Sequence, residues 1–307
     1  MLGTPILFMV FNRPEETARV LQRIVEAAPK RLFVSADGPR PGHPEDESRC
    51  ASVRALIDAL PPNMEVQRLF RTSNLGCKRS GVEALTWFFS RVDRGIILED
   101  DCLPDPSFFR FCESALERYE NEERVMLVSG HNPFGAFPRG SDAVLSKYPF
   151  IWGWASWSRA WKLYNPEISN WDAGATSKQA GRWLGSKHAV HFWMKAFRDA
   201  AIGAEVWDYQ ISYVMCMREA LAVVSSRNLV SNIGFGASAV HTGDPLDPRG
   251  SLPLLSAPLK LKFPGSLAPD AQFERRAIHE LYFNRDLTFT GWAKKVLRRI
   301  RKRRESE

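Results

Sequence analysis

Apolar residues over the first 130 positions alternate between two rhythms. Short unbroken runs at Ile6 to Phe11, Leu32 to Ser35, Val66 to Phe70, Ile96 to Leu98 and Val125 to Val128 suit strands buried on both faces. Between them, apolar positions fall at helical spacing. Val20, Leu21, Ile24, Val25 and Ala28 form one such set, Val53 to Leu60 a second that Pro61-Pro62 closes, and Val82 to Phe89 and Phe108 to Tyr119 two more. Asn12-Arg13-Pro14 puts a proline where helices start. Five strands with crossover helices predict an α/β fold: a Rossmann-like, mostly parallel sheet with flanking helices. Such sheets bind ligands outside the carboxyl ends of their strands. The positions that matter are therefore Asn12-Arg13, Asp37-Gly38, Arg71 to Asn74, Glu99-Asp100-Asp101 and Ser129 to Asn132.

After about residue 131 the pattern loses its period and becomes aromatic-rich, with eight tryptophans between Trp152 and Trp207. A second half, residues 131–288, is expected there after a first half of residues 1–130. Most of its tryptophans should fill core, and some should line a sugar site, because sugar C–H faces stack on aromatic rings.

Composition changes this picture in three ways. Of the net charge of +7, residues 294–307 supply +6 and leave +1 for residues 1–293. No basic face for nucleic acid is evident in the body. The apolar run near the start is far shorter than the roughly 20 residues that span a bilayer, and lacks the flanks of a signal peptide, so a cytoplasmic protein is expected. The five cysteines are scattered without a Cys-x-x-Cys pair, and the expectation is reduced thiols.

The sharpest chemical feature is Glu99-Asp100-Asp101, three carboxylates directly after an apolar strand. A hard divalent cation, Mn²⁺ or Mg²⁺, relieves such crowding by binding one or two carboxylates plus substrate phosphate oxygens. An acidic turn in solvent is the plainer reading, and placement at a strand's carboxyl end argues against it. Walker and dinucleotide glycine loops are missing after the first strand, as are a Gly-x-Ser-x-Gly elbow and a zinc-protease motif around His188 and His191.

An ordered series of segments carries a family resemblance over roughly residues 4–244. It comprises PILFMVFNR, SADG at 35–38, EDDCLPDPSFF at 99–109, VSGHN at 128–132, GW at 153–154, WD at 207–208 and VSNIGFG through VHTG at 230–243. The chain resembles the GT-A fold of nucleotide-sugar glycosyltransferases, specifically the inverting N-acetylglucosaminyltransferase I family. The resemblance implies metal-dependent transfer of a sugar from a nucleotide diphosphate sugar, UDP-sugars favoured, to a hydroxyl of a glycan or lipid-linked glycan. It makes the first half the nucleotide-sugar side and the second the acceptor side. It places the metal on Asp101, with Glu99 and Asp100 facing the donor's ribose and sugar.

Asp37 at the second strand's end could accept a hydrogen bond from base or ribose, or simply serve an Asp-Gly turn. Asn12, Arg13, Lys78 and Arg79 are candidate donor contacts, the cations at the diphosphate. Asp208 is the candidate general base, since inversion needs a group to take the acceptor's proton. The family has two adjacent aspartates where this chain has Asp208-Tyr209. The glycine-containing stretch 232–243 reads as a lid, with His241 reaching diphosphate or metal.

Phe289, Trp292, Val296 and Ile300 lie at i, i+3, i+7 and i+11 among lysines and arginines. A basic amphipathic tail over 289–307 is expected, with residues 289–304 in peripheral contact with an anionic inner membrane face or simply solvated. Two rivals to a glycosyltransferase are a sugar-nucleotide nucleotidyltransferase and a catalytically inactive, membrane-docked glycan-binding module.

Overall fold

A computed structural model describes residues 1–138, 140–235 and 252–283. All five expected strands form: β1 (Ile6–Val10), β2 (Arg31–Ala36), β3 (Glu65–Phe70), β4 (Arg94–Glu99) and, after the short β5 (Cys102–Pro104), β6 (Val125–Ser129). Helices α1 (Pro14–Ala27), α2 (Pro44–Asp58), α3 (Cys77–Phe89) and α4 (Ser107–Arg118) connect them. Pro14 and Pro44 open α1 and α2 at the first turn, where a missing N–H costs no hydrogen bond.

The remaining elements are β7 (Ala143–Ser146), β8 (Trp154–Trp157), α5 (Ser158–Trp161), α6 (Ala173–Leu184), α7 (Lys187–Ala201), α8 (Asp208–Arg218), β9 (Leu221–Ser225), β10 (Val230–Asn232) and α9 (Ala271–Ala277). A π-helical turn, Ile278–Phe283, ends the described fold.

Eight strands form one sheet in the order β3-β2-β1-β4-β8-β6-β9-β7. The first four run parallel, as the alternating pattern requires. The sheet departs from expectation at its middle. β8 enters antiparallel between β4 and β6, and β7 is an antiparallel edge on β9. The four residues of β8, Trp154–Trp157, are all buried, so no alternation of apolar and polar positions marks them as a strand. The sheet therefore takes β7, β8 and β9 from the chain after residue 131, and one apolar cluster runs through both halves.

Helices cover the sheet through packed aromatic and aliphatic contacts. Val20, Leu21 and Ile24 bury the inner stripe of α1, and Phe108, Phe111, Cys112, Ala115 and Leu116 that of α4. The ring of Phe88 on α3 lies against Gly95 of β4, where a Cβ would overlap it. Trp154, Trp157, Trp183, Trp193 and Trp207 are buried, as expected for core tryptophans. All five cysteine thiols are unpaired. Among the described residues no helix is long and apolar enough to cross a membrane.

Close packing at Gly95 gives a stability prediction. Gly95→Ala should destabilise the fold by about 1–3 kcal/mol through overpacking, read as a lowered midpoint in urea. An unchanged midpoint would mean that the Phe88 ring yields without cost.

Candidate active site

Register brings the candidate residues together. β1 pairs with β2 up to Val10 opposite Ala36, and with β4 up to Met9 opposite Glu99. Phe11 to Arg13, Asp37 and Asp100-Asp101 therefore leave the sheet at one edge. The Phe11 N–H fixes that alignment by donating to Asp100 Oδ2 at 3.1 Å. These ends open into a cavity of about 650 Å³, which Ile151, Trp152 and Val206 to Tyr209 also line. That size falls in the roughly 300–1,000 Å³ range of ligand pockets.

Charge dominates the cavity. Asp37, Glu99, Asp100, Asp101 and Asp208 line it, against the two guanidinium groups of Arg13 and Arg40. Arg13 Nη1 bridges Asp100 Oδ1 at 3.1 Å and Asp101 Oδ2 at 2.9 Å. Burial pushes the Glu99 carboxyl up, and the charges of Asp101, Asp100 and Asp208 add to the effect. Burial and then Asp101 raise Asp100 too, with Arg13 and the Phe11 N–H opposing. One arginine does not neutralise the group, and the strand ends retain an affinity for positive charge.

The donor set fits a hard cation in one way. Among the described residues no group of three or more His, Cys, Asp or Glu is arranged to hold a metal ion. Asp101, with its partly exposed carboxylate, could hold Mn²⁺ or Mg²⁺ only if substrate oxygens complete the shell, the usual arrangement for these ions beside a diphosphate.

Other candidate residues are placed differently from expectation. Arg13 lines the cavity, and its Nη1 serves the carboxylates of Asp100 and Asp101. Lys78 pairs with Glu167 at 3.2 Å and Arg79 with Glu83 at 2.8 Å. Neither is among the residues that line the cavity. Asp37 lines the cavity, but its carboxylate accepts from the N–H groups of Gly38 at 2.9 Å and Leu75 at 3.1 Å and from Asn74 Nδ2 at 3.2 Å. It ties the loop after β2 to the loop after β3, which is the turn role left open for it.

Asn12 donates to Asp46 Oδ1 at 2.6 Å. Arg40 donates to the same carboxylate from Nε and Nη2 at 2.6 and 3.0 Å, while lying 5.6 Å over the Phe11 ring. Asp46, wholly buried on α2, thus organises two residues of the cavity wall. Nothing in the sequence near Asp46 marks it, since its partners lie at positions 12 and 40.

Asp208 stands in the first turn of α8. Trp207 before it is buried, stacks on Trp154 at 6.1 Å and packs on Gly81, where a Cβ would lie 3.1 Å from the indole. Its carbonyl accepts from the Tyr164 hydroxyl at 3.0 Å. Trp152 is half-buried in the same wall, its ring 4.7 Å from His131 and 5.7 Å from Phe235. Cys77 faces the cavity, and burial together with the Glu99 and Asp208 carboxylates pushes its thiol up to about 12, which leaves it a poor nucleophile.

The expected lid begins at Asn232. The Ile233 N–H donates to the Asp101 carbonyl at 2.8 Å, and a side chain at Gly234 would overlap the Asp101 carboxylate. Residues 236–251, His241 among them, lie outside the described residues, as does the tail from 284 onward.

No family model matches the chain. No curated protein matches it. Among solved structures, HddC from Yersinia pseudotuberculosis is similar at 12% identity over 46% of this chain and 59% of that protein, with a TM-score of 0.29. A UDP-glucose pyrophosphorylase complexed with UDP-glucose is similar at 10% identity over 42% and 56%, with a TM-score of 0.26. The chain spans less than two thirds of either protein's length. Neither likeness bears on this chain's chemistry.

Asp46 carries a pH prediction. The Arg40 guanidinium, with Asn12, holds its carboxyl well below the usual carboxylate range. A depressed folded-state value stabilises the fold above the unfolded value of about 3.9 and loses that contribution as pH falls below it. Asp46→Asn should cost about 1–2 kcal/mol at pH 7, because the half-exposed Arg40 stays solvated, and the gap between variant and parent should close below pH 4. Urea denaturation at both pH values is the check.

Proposed function

We propose that the protein is an inverting, metal-dependent glycosyltransferase that moves a sugar from a nucleotide diphosphate sugar, with UDP-sugars favoured, to a hydroxyl of a glycan or lipid-linked glycan. The observation that carries this reading is the gathering of five carboxyl groups in the lining of one cavity at the carboxyl edge of the sheet, with Arg13 shared between Asp100 and Asp101. An anionic donor enters such a site only with a cation between it and the protein. The sequence resemblance supports the same reading.

Asp101 would hold Mn²⁺ or Mg²⁺. When bound, the ion offsets the charge that develops on the departing nucleoside diphosphate. Arg13 keeps the Asp100 and Asp101 carboxylates oriented toward the cavity. Asp208, in the lining of the same cavity, takes the acceptor hydroxyl's proton as its oxygen attacks the anomeric carbon from the side opposite the diphosphate. The new glycosidic bond forms as the bond to the diphosphate breaks, and configuration inverts. Trp152 supplies an aromatic surface on which a pyranose ring can stack while it reacts.

Replacing Asp208 by Asn should lower turnover by about 10²–10⁴-fold with donor affinity intact, whereas Asp101→Asn should abolish the cation-dependent part of donor binding. Calorimetry with UDP-sugars and Mn²⁺, together with release of nucleoside diphosphate, reads both. Near-normal turnover of the Asp208 variant would discard the base. Conversion of UDP-sugar and pyrophosphate into UTP, without transfer to a hydroxyl, would assign nucleotidyl transfer instead.

Trp152→Ala should weaken binding of the sugar that stacks on it by about 0.5–1.5 kcal/mol while free UDP binds as before. Equal affinities for every sugar ligand in parent and variant would remove Trp152 from the site.

A further inference from the structure

Helices α6 and α7, packed side by side, carry five lysines and arginines, two histidines and a single acid, Asp199. The pair contributes +4 to a body of 293 residues whose net charge is +1. The cations are ordered along the surface. Lys187, His191, Lys195 and Arg198 are all exposed and fall at i, i+4, i+8 and i+11, which is one face of a helix. Asp199 pairs with both Lys195 and Arg198, yet those side chains remain about 60% exposed. Lys178 and Arg182 on α6 are exposed as well.

One large apolar residue continues the same stripe. Ile202, four positions after Arg198, is 76% exposed where α7 ends. Few large apolar side chains stand so open in the described residues, and this one terminates a basic face. Cations beside a projecting apolar side chain suit a surface that is anionic outside and hydrocarbon beneath.

Position strengthens the assignment. Tyr282 of the π-helical turn packs on Phe192 and Trp193 of α7, at 5.1 and 6.1 Å between ring centres. The chain therefore leaves the described fold beside this helix, and the sequence beyond it holds eight cations within residues 294–307. Stable peripheral attachment takes two signals, and the sequence holds a second cluster of cations besides that of α6 and α7. Val206 to Tyr209, in the cavity wall, follow Ile202 within a few residues.

We propose that the exposed face of α7, from Lys187 through Arg198 to Ile202, is a docking surface for an anionic phospholipid membrane. It sets the wall that carries Asp208 close to the lipid headgroups. The surface stands independently of the reaction proposed for the cavity.

Cosedimentation of the full chain tests it, with vesicles of phosphatidylcholine alone and of phosphatidylcholine mixed with phosphatidylglycerol. The full chain should bind only the anionic vesicles and release at high salt. The combined Lys187→Gln, Lys195→Gln and Arg198→Gln variant should partition roughly a hundredfold more weakly, at about fivefold per charge, with an unchanged melting temperature. Ile202→Asp should also weaken binding and Ile202→Leu should not. The proposal fails if the triple variant binds like the parent, or if the full chain ignores anionic vesicles. It fails equally if Ile202→Asp is silent while heparin binding falls with the triple variant, which would assign the face to a soluble polyanion.

Discussion

Three carboxylates emerging together from one strand end constrain everything around them. Glu99, Asp100 and Asp101 follow four buried residues of β4, so their backbone cannot shift without dragging the centre of the sheet. The protein answers with Arg13, delivered by the neighbouring strand, and with the Phe11 N–H. Both come from the segment that links β1 to α1, and the proline at 14 that starts α1 fixes where Arg13 stands. Compensation is incomplete, since Glu99 and Asp100 remain harder to ionise than free carboxylates. Residual negative potential at a cavity mouth repels a nucleotide diphosphate on its own. It attracts the cation–diphosphate complex, so the cluster selects the charge state of its ligand before any specific contact forms.

What could be read from the sequence follows from how local each cause is. Strand ends were legible because short apolar runs define where a chain leaves a parallel sheet: four of the five segments flagged there line the cavity, and the fifth packs His131 against Trp152 of its lining. The antiparallel β8 was not legible. Trp154 and Trp157 are buried by β4 and β6, strands distant in sequence, and no period in four residues announces that. Side-chain fates set by remote partners escaped for the same reason. Lys78 turns to Glu167, 89 positions away, and Arg40 and Asn12 converge on Asp46. The cations Arg13, Lys78 and Arg79 were expected at a diphosphate, and that Arg13 also pairs with Asp100 and Asp101 depended on the register of β1 with β4.

The cavity is also braced by places where side chains are absent. Gly81 admits the Trp207 indole, and Gly234 admits the Asp101 carboxylate. Each links the cavity wall to something that must hold still: Trp207 carries Asp208 at its carboxyl side, and Gly234 opens the segment leading toward residues 236–251. A larger residue at Gly234 would displace the Asp101 carboxylate itself, and one at Gly81 would press on the indole that precedes Asp208. Asp101 is thus gripped from two directions, by Arg13 across the cavity floor and by the backbone of Ile233 and Gly234 beside it. Any movement of that segment is felt first at the carboxylate expected to hold a metal.

A near-zero net charge for residues 1–293 conceals two opposed poles. The cavity concentrates anions at the carboxyl edge of the sheet, while α6 and α7 concentrate cations, and the connection between the poles is short, running from Ile202 to Asp208. At physiological ionic strength a Debye length of about 8 Å screens exposed charges from one another while buried ones are screened much less, so the exposed cations of α7 and the buried carboxyls of the cavity respond differently to salt. Each can then favour a partner that the other would repel: a cation-loaded phosphate on one side, an anionic surface on the other. Were the same charges mixed evenly over the body, neither preference would survive screening.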